Sequence, residues 1–148
     1  MIQLAQKIVQ EAFADKKDKA GEPYINHLLR VSAKCQTEEL KTIALLHDLL
    51  EDCPQWNEQM LREFFRHSIV DSVVALTHKP NQTYFDYINQ ILENESAIIV
   101  KFSDLEDNMD ITRLKELTNK DFERLKKYHQ AYNILRATRK IKACNKYL

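Results

Sequence analysis

A single glycine in 148 residues narrows what this chain can fold into more than any other feature. Gly21 stands alone, and the prolines number three, Pro23, Pro54 and Pro80. A chain so poor in turn formers, with few alternating runs of β-branched residues, is expected to be helical throughout. Apolar periodicity places helices near residues 2–14, 24–35, 38–52, 57–66, 68–78, 83–93, 95–114 and 118–143. Thr37-Glu38-Glu39-Leu40 reads as a helix start, and Thr118 with Asp121 as a capping pair. Gly21-Glu22-Pro23 and Lys79-Pro80-Asn81 mark loops. With no repeat, low-complexity tract or linker, the expectation is an all-α fold: one compact domain over 1–148, of roughly eight helices.

The balance of charge excludes some functions. Lys and Arg total 22, as do Asp and Glu, so the basic surplus of a general nucleic-acid binder is missing. No apolar run is long enough for a bilayer. The start, MIQLAQKIVQEAF, reads as an amphipathic helix instead of a signal peptide. Cys35, Cys53 and Cys144 are an odd number without CxxC spacing, which indicates neither a disulfide framework nor a zinc knuckle. A cytoplasmic location is expected.

Chemistry concentrates in Thr42-Ile43-Ala44-Leu45-Leu46-His47-Asp48-Leu49-Leu50-Glu51-Asp52. Its apolar residues cover nearly every side of a helix, so the segment should be buried, yet it carries a histidine and three acids. Burying unpaired carboxylates costs several kcal/mol each, and no Lys or Arg follows locally. A bound metal ion is the economical partner. His47 and Glu51 are four apart, as are Asp48 and Asp52, so each pair stacks on one face. His47 and Asp48 could hold an ion while Glu51 and Asp52 orient or deprotonate its water.

A second acidic cluster, Ser103-Asp104-Leu105-Glu106-Asp107-Asn108, follows the apolar run Ala97–Val100. Asp104 and Asn108 share a helical face, whereas Glu106 and Asp107 read as solvated. His27 follows the loop Gly21-Glu22-Pro23-Tyr24-Ile25-Asn26. His67, His78 and His129 lack partner spacing and read as bystanders, and nothing marks Cys53 as a nucleophile. Phe122, Leu125, Tyr128, Tyr132 and Leu135 recur at helical spacing and read as a core stripe.

GEPYINH, LLHDLLED and VKFSDLEDN, in that order and separation, resemble the HD-domain hydrolases of the RelA/SpoT type, closest to their small stand-alone members. The resemblance runs from about residue 5 to 140 and takes in LTHKPNQTYFDYI and TNKDFERLKKY. It implies that His27, His47, Asp48 and Asp104 ligate one divalent ion such as Mn²⁺, with Glu51 and Asp52 positioning and activating the attacking water. It implies that Asn108 contacts the substrate sugar or orders the site, and that Lys19 and Lys79 lie near the pocket mouth. Tyr24 could line the pocket, and Lys19, Arg30, Lys79, Lys101 and Arg113 are the candidates for holding phosphates. The implied reaction removes pyrophosphate from the 3′ position of guanosine tetra- or pentaphosphate.

Departures from the family pattern are also legible. Where members acting on guanosine alarmones carry a base-stacking arginine, this chain has Asp18, and the proline after the first metal histidine is Leu28. An acid offers no cationic stacking, so a phosphomonoesterase acting on another nucleotide or dinucleotide stays open, as does a catalytically silent nucleotide-binding module. The expected partner is a phosphorylated nucleotide, without nucleic acid or membrane; a homodimer is left open.

Overall fold

The computed structural model describes the backbone of residues 1–145 and the side chains of residues 1–139; Cys144 lies outside the described side chains. The elements run α1 Ile2–Ala12, α2 Ile25–Ala33, α3 Glu38–Leu46, α4 Leu49–Asp52, α5 Glu58–Phe64, α6 His67–Leu76, α7 Tyr84–Leu92, α8 Glu95–Met109, a 3₁₀ turn Ile111–Arg113, and α9 Asn119–Asn145. With α3 and α4 counted as one interrupted helix, these match the eight expected. The described residues include no strand, only an isolated bridge between Lys17 and Pro23.

Local chemistry accounts for the starts. Thr37, Asn57, Thr83 and Asn94 each accept a hydrogen bond from the backbone N–H three residues on. Each satisfies an N–H that the helix leaves orphaned, an effect of about 1 kcal/mol. Asp121 accepts from both the backbone N–H and the hydroxyl of Thr118, at 2.8 and 2.7 Å, so the expected capping pair forms.

Two expected helices are shorter than read. The segment 38–52 breaks at His47–Asp48, where the His47 ring turns back onto the Ala44 carbonyl at 2.6 Å. The Asp52 N–H still reaches the Asp48 carbonyl at 2.9 Å, so the spacing of the acids survives the break. The segment 95–114 leaves the helix at Asp110, whose carboxylate accepts from the Thr112 N–H and hydroxyl and redirects the backbone.

Helix α3 forms the centre and packs against α1, α2, α6 and α8. Ile43, Ala44, Leu45 and Leu46 are completely buried there, and each large side chain contributes about 1.5–3 kcal/mol by leaving water. Helix α9 packs mainly on α8 and α7, as an outer layer. Its expected core stripe therefore thins: Leu135 is buried, Tyr128 and Tyr132 are half-buried, and Phe122 is 53% exposed. Among the described residues no helix is long and apolar enough to cross a membrane.

The loop between α1 and α2 frames the site. Gly21 adopts φ +85°, which a side chain would strain. Asp18 organises this turn: its Oδ1 accepts from the N–H groups of Ala20 and Glu22 at 2.9 and 3.0 Å.

Candidate metal centre

Helices α2, α3 and α8 pack on one another and bring together three residues that lie far apart in the chain. His27 comes from α2, His47 from the α3–α4 junction and Asp104 from α8; all three are buried. His27 Nε2 stands 3.2 Å from Asp104 Oδ1, and His47 Nε2 stands 3.5 Å from the same oxygen. These three have ligand atoms that all lie within 4.8 Å of one another, and Asp48 Oδ2 stands beside them, 3.2 Å from His47 Nε2 and 3.7 Å from His27 Nε2.

The outer nitrogens of both rings settle which inner atoms are available. His47 Nδ1 lies 2.6 Å from the Ala44 carbonyl, which can only accept, so Nδ1 carries the proton and Nε2 keeps its lone pair. His27 Nδ1 lies 2.7 Å from Asp107 Oδ2, and the same reasoning turns its Nε2 inward. His47 Nε2 is buried without a hydrogen-bond partner. Without an ion, a second proton on the ring answers the facing carboxylates, as the raised pKa values of both histidines show; a bound cation would take that proton's place and the Nε2 lone pair. The spacings of 3.2–3.7 Å suit neighbours in a shell of radius about 2.1 Å, whose edges measure roughly 3.0–3.4 Å. Two imidazoles and the Asp104 carboxylate therefore could hold a divalent ion, with Asp48 next to them as a further donor.

The surrounding charges hold this arrangement. Burial alone would lower the His27 pKa, but hydrogen bonds to Asp104 and Asp107 outweigh it and raise it to about 10. Burial would likewise raise Asp104, yet the Lys101 ammonium and the two histidines hold it well below the ordinary carboxylate range. Lys101 Nζ donates to Asp104 Oδ2 at 2.8 Å and lies 5.0 Å over the Tyr87 ring. Asn108 Nδ2 donates to Asp104 Oδ1 at 2.6 Å, so the shared helical face expected for these two is real.

Asp107 overturns its reading as a solvated acid. It is 4% exposed and anchors His27 while Arg30 grips it through Nε at 2.7 Å and Nη2 at 3.0 Å. The signal was present: Asp107 follows Asp104 by three residues and so shares its helical face. Its neighbour Glu106 is exposed, as expected.

A cavity of about 520 Å³ opens onto the cluster, within the range that takes small molecules. Tyr24, Glu51, Asp52 and Asn108 line it, as do Lys19, Arg124, Lys127, Tyr84 and Tyr128. Tyr24 stacks on Phe13 and donates its hydroxyl to Asp48 Oδ2 at 2.6 Å. Glu51 accepts from the His78 N–H at 3.0 Å; desolvation of its carboxyl in the pocket wall, with Asp48 and Asp52 nearby, raises its pKa. Asp52 pairs with Lys16 Nζ at 2.5 Å. The acids thus find partners from other elements that local sequence does not disclose.

Other expected residues are placed differently. Lys79 does not line this cavity; its loop folds back on Gln82, and Lys79 lines an adjoining depression beside Glu51 and His78. His78, read as a bystander, lies in the cavity wall with its ring stacked on Tyr87. Lys101 and Arg30 reach the cavity wall, but their charges are committed to Asp104 and Asp107. Arg113 bridges Asp18 and Asp107 at 3.5 and 3.3 Å. Arg124 was missed and Tyr128 was read as part of a core stripe; they sit four apart on α9, and both line the cavity.

No family model matches the chain. It is 33% identical over 120 residues, 73% of its length, to the guanosine-3′,5′-bis(diphosphate) 3′-pyrophosphohydrolase of Aquifex aeolicus, of which it covers 17%. It is 36% identical over 85 residues, 53% of its length, to the protein of that name from Borreliella burgdorferi, of which it covers 13%. The chain therefore spans less than a fifth of the length of the curated relatives it matches. A solved structure of a metazoan ortholog of SpoT, described as hydrolysing ppGpp and playing a role in starvation responses, superimposes with a TM-score of 0.73 at 20% identity. That match covers 93% of this chain and 86% of the other. The all-α HD-domain fold is shared, and the likeness to RelA/SpoT-type hydrolases read from GEPYINH, LLHDLLED and VKFSDLEDN is carried by sequence and fold alike.

Proposed function

We propose that this chain is a metal-dependent phosphohydrolase that releases pyrophosphate from the 3′ position of a guanosine bis(diphosphate)-type nucleotide, with Mn²⁺ as its ion. The observation that carries this reading is the meeting of His27, His47 and Asp104, with Asp48 beside both histidines, against a cavity that also gathers acids and cations. His27, His47, Asp48 and Asp104 hold the ion, and mixed nitrogen and oxygen donors suit manganese. When bound, the ion supplies Lewis acidity toward a phosphoryl oxygen and makes water more acidic.

The remaining roles belong to side chains of the cavity. Tyr24 orients Asp48 through its hydroxyl, and Asp107 and the Ala44 carbonyl fix the tautomers of His27 and His47. Glu51 and Asp52 stand beside the ligand group to handle the attacking water. Asn108 orders Asp104 and meets the sugar. Lys19, Arg124 and Lys127 line the same cavity, and burial followed by the nearby Arg124 lowers the Lys19 pKa; this cluster of cations suits a substrate bearing a second anionic group away from the scissile bond.

A second reading, hydrolysis of a phosphomonoester on another nucleotide or a phosphorylated dinucleotide, draws support from Asp18. Its carboxylate is used by Ala20, Glu22 and Arg113, so position 18 offers no cationic plane for a guanine. Purified protein with Mn²⁺ and ppGpp should release pyrophosphate. Orthophosphate from a nucleotide monophosphate or phosphorylated dinucleotide would favour the second reading. Tight ppGpp binding without turnover in any substrate would refute both and leave a silent binding module.

A further inference from the structure

Lys16 belongs to no role assigned above. Its ammonium lies 2.5 Å from Asp52 Oδ2, 4.3 Å over the Tyr24 ring and 5.5 Å over the Phe13 ring. The Tyr24 N–H donates to the Lys16 carbonyl at 2.9 Å, and the Tyr24 hydroxyl holds Asp48 at 2.6 Å. One lysine thus joins the α1–α2 loop to both ends of α4. Glu51, the other acid of the pair, has no salt bridge among the described residues and receives only the His78 N–H.

We propose that Lys16 is a positioning residue that divides the acid pair: Asp52 is held as an anchor for the loop bearing Tyr24, and Glu51 alone accepts the proton of the attacking water. This rests on the phosphohydrolase reading above. The Lys16 ammonium sits on Asp52 Oδ2 and ties that carboxylate to the loop. Glu51 keeps a free carboxylate oxygen in the cavity wall, and its raised basicity suits a base working near neutrality. In the reaction a water oxygen bonds to phosphorus while its proton passes to Glu51. The phosphoester P–O bond breaks with its electron pair on the departing oxygen, which takes that proton back from Glu51.

The division predicts a pattern across variants. Glu51→Gln should lower kcat by about 10²–10⁴-fold at saturating Mn²⁺. Lys16→Met and Asp52→Asn should each lower it by roughly ten-fold, and the double variant no further, because both remove one link. Hydrogen exchange at residues 16–24 needs no substrate and reads the clamp separately. It should accelerate equally in Lys16→Met, Asp52→Asn and the double variant, and stay unchanged in Glu51→Gln. Equal kcat losses in Asp52→Asn and Glu51→Gln, additive losses in the double variant, or unchanged exchange in Lys16→Met would each overturn the proposal. If no nucleotide turns over but the exchange pattern holds, the reaction assignment fails and, with it, the proton-accepting role of Glu51, while the clamp stands.

Discussion

The stretches Asp48–Asp52 and Asp104–Asn108 each offer one aspartate to the histidine cluster and follow it with further polar groups within a turn. In α8 the helix runs unbroken, so Asp104, Asp107 and Asn108 share one face: His27 and Arg30 of α2 meet it, and Lys101 one turn back on α8 pairs with Asp104. At the α3–α4 junction the helix breaks, and Glu51 and Asp52 end on the open wall of the cavity. Similar acids thus divide by surroundings: Asp104 and Asp107 are buried among partners, which suits holding, while Glu51 faces the cavity with, among the described residues, only the His78 N–H on it, which suits reaction. Helix continuity and the nearest cation decide between the two.

The comparison breaks most visibly if its common point is removed. Asp48→Ala and Asp104→Ala should each take turnover to background and lose bound Mn²⁺, measured by metal analysis after gel filtration. Asp104→Ala should also unfold more easily, since it leaves the buried Lys101 charge unpaired, a loss on the order of 3–5 kcal/mol in denaturant midpoint analysis. Next comes Asp107→Asn. Loss of a carboxylate behind a ligand histidine should weaken Mn²⁺ binding by about 10–100-fold, whereas Glu51→Gln should leave that affinity within a few-fold; calorimetric titration separates them.

Metal-free protein adds a sign test. His27 is raised to about 10 from an ordinary value of about 6.5. Its contribution is fully present below the lower value and is lost as pH climbs through the upper one. The melting temperature of metal-free protein should therefore fall between pH 7 and 10, and Asp107→Asn should flatten that fall. The smallest effect is expected at Glu106, which is exposed and contacts Lys34 at 3.6 Å and the Tyr132 hydroxyl at 3.2 Å. Glu106→Ala should change stability by no more than about 0.5 kcal/mol and leave kcat alone.

Much of this was legible in residues met one after another. The helical class followed from one glycine and apolar period, and Thr37 and Thr118 marked helix starts where they occur. The residues His27, His47 and Asp104 were named from three motifs and stand together. Asp107 was misread because a carboxylate beside Glu106 looks solvated until α2 brings His27 and Arg30 against it. Lys16 and Arg124 went unnoticed, and His78 was set aside as a bystander, because each reaches the cavity from a segment whose local pattern marks no site.

By itself the sequence determined the helical class, the helix starts at Thr37 and Thr118, and the motifs that carry His27, His47 and Asp104, since propensity, periodicity and capping act within a few residues. Only the tertiary structure decided the break at His47–Asp48, the inward turn of Asp107 and the pairing of Lys16 with Asp52. Those outcomes depend on which charge stands within about 4 Å once distant helices pack, because electrostatic partnership is set by distance in space and by desolvation, neither of which follows chain order.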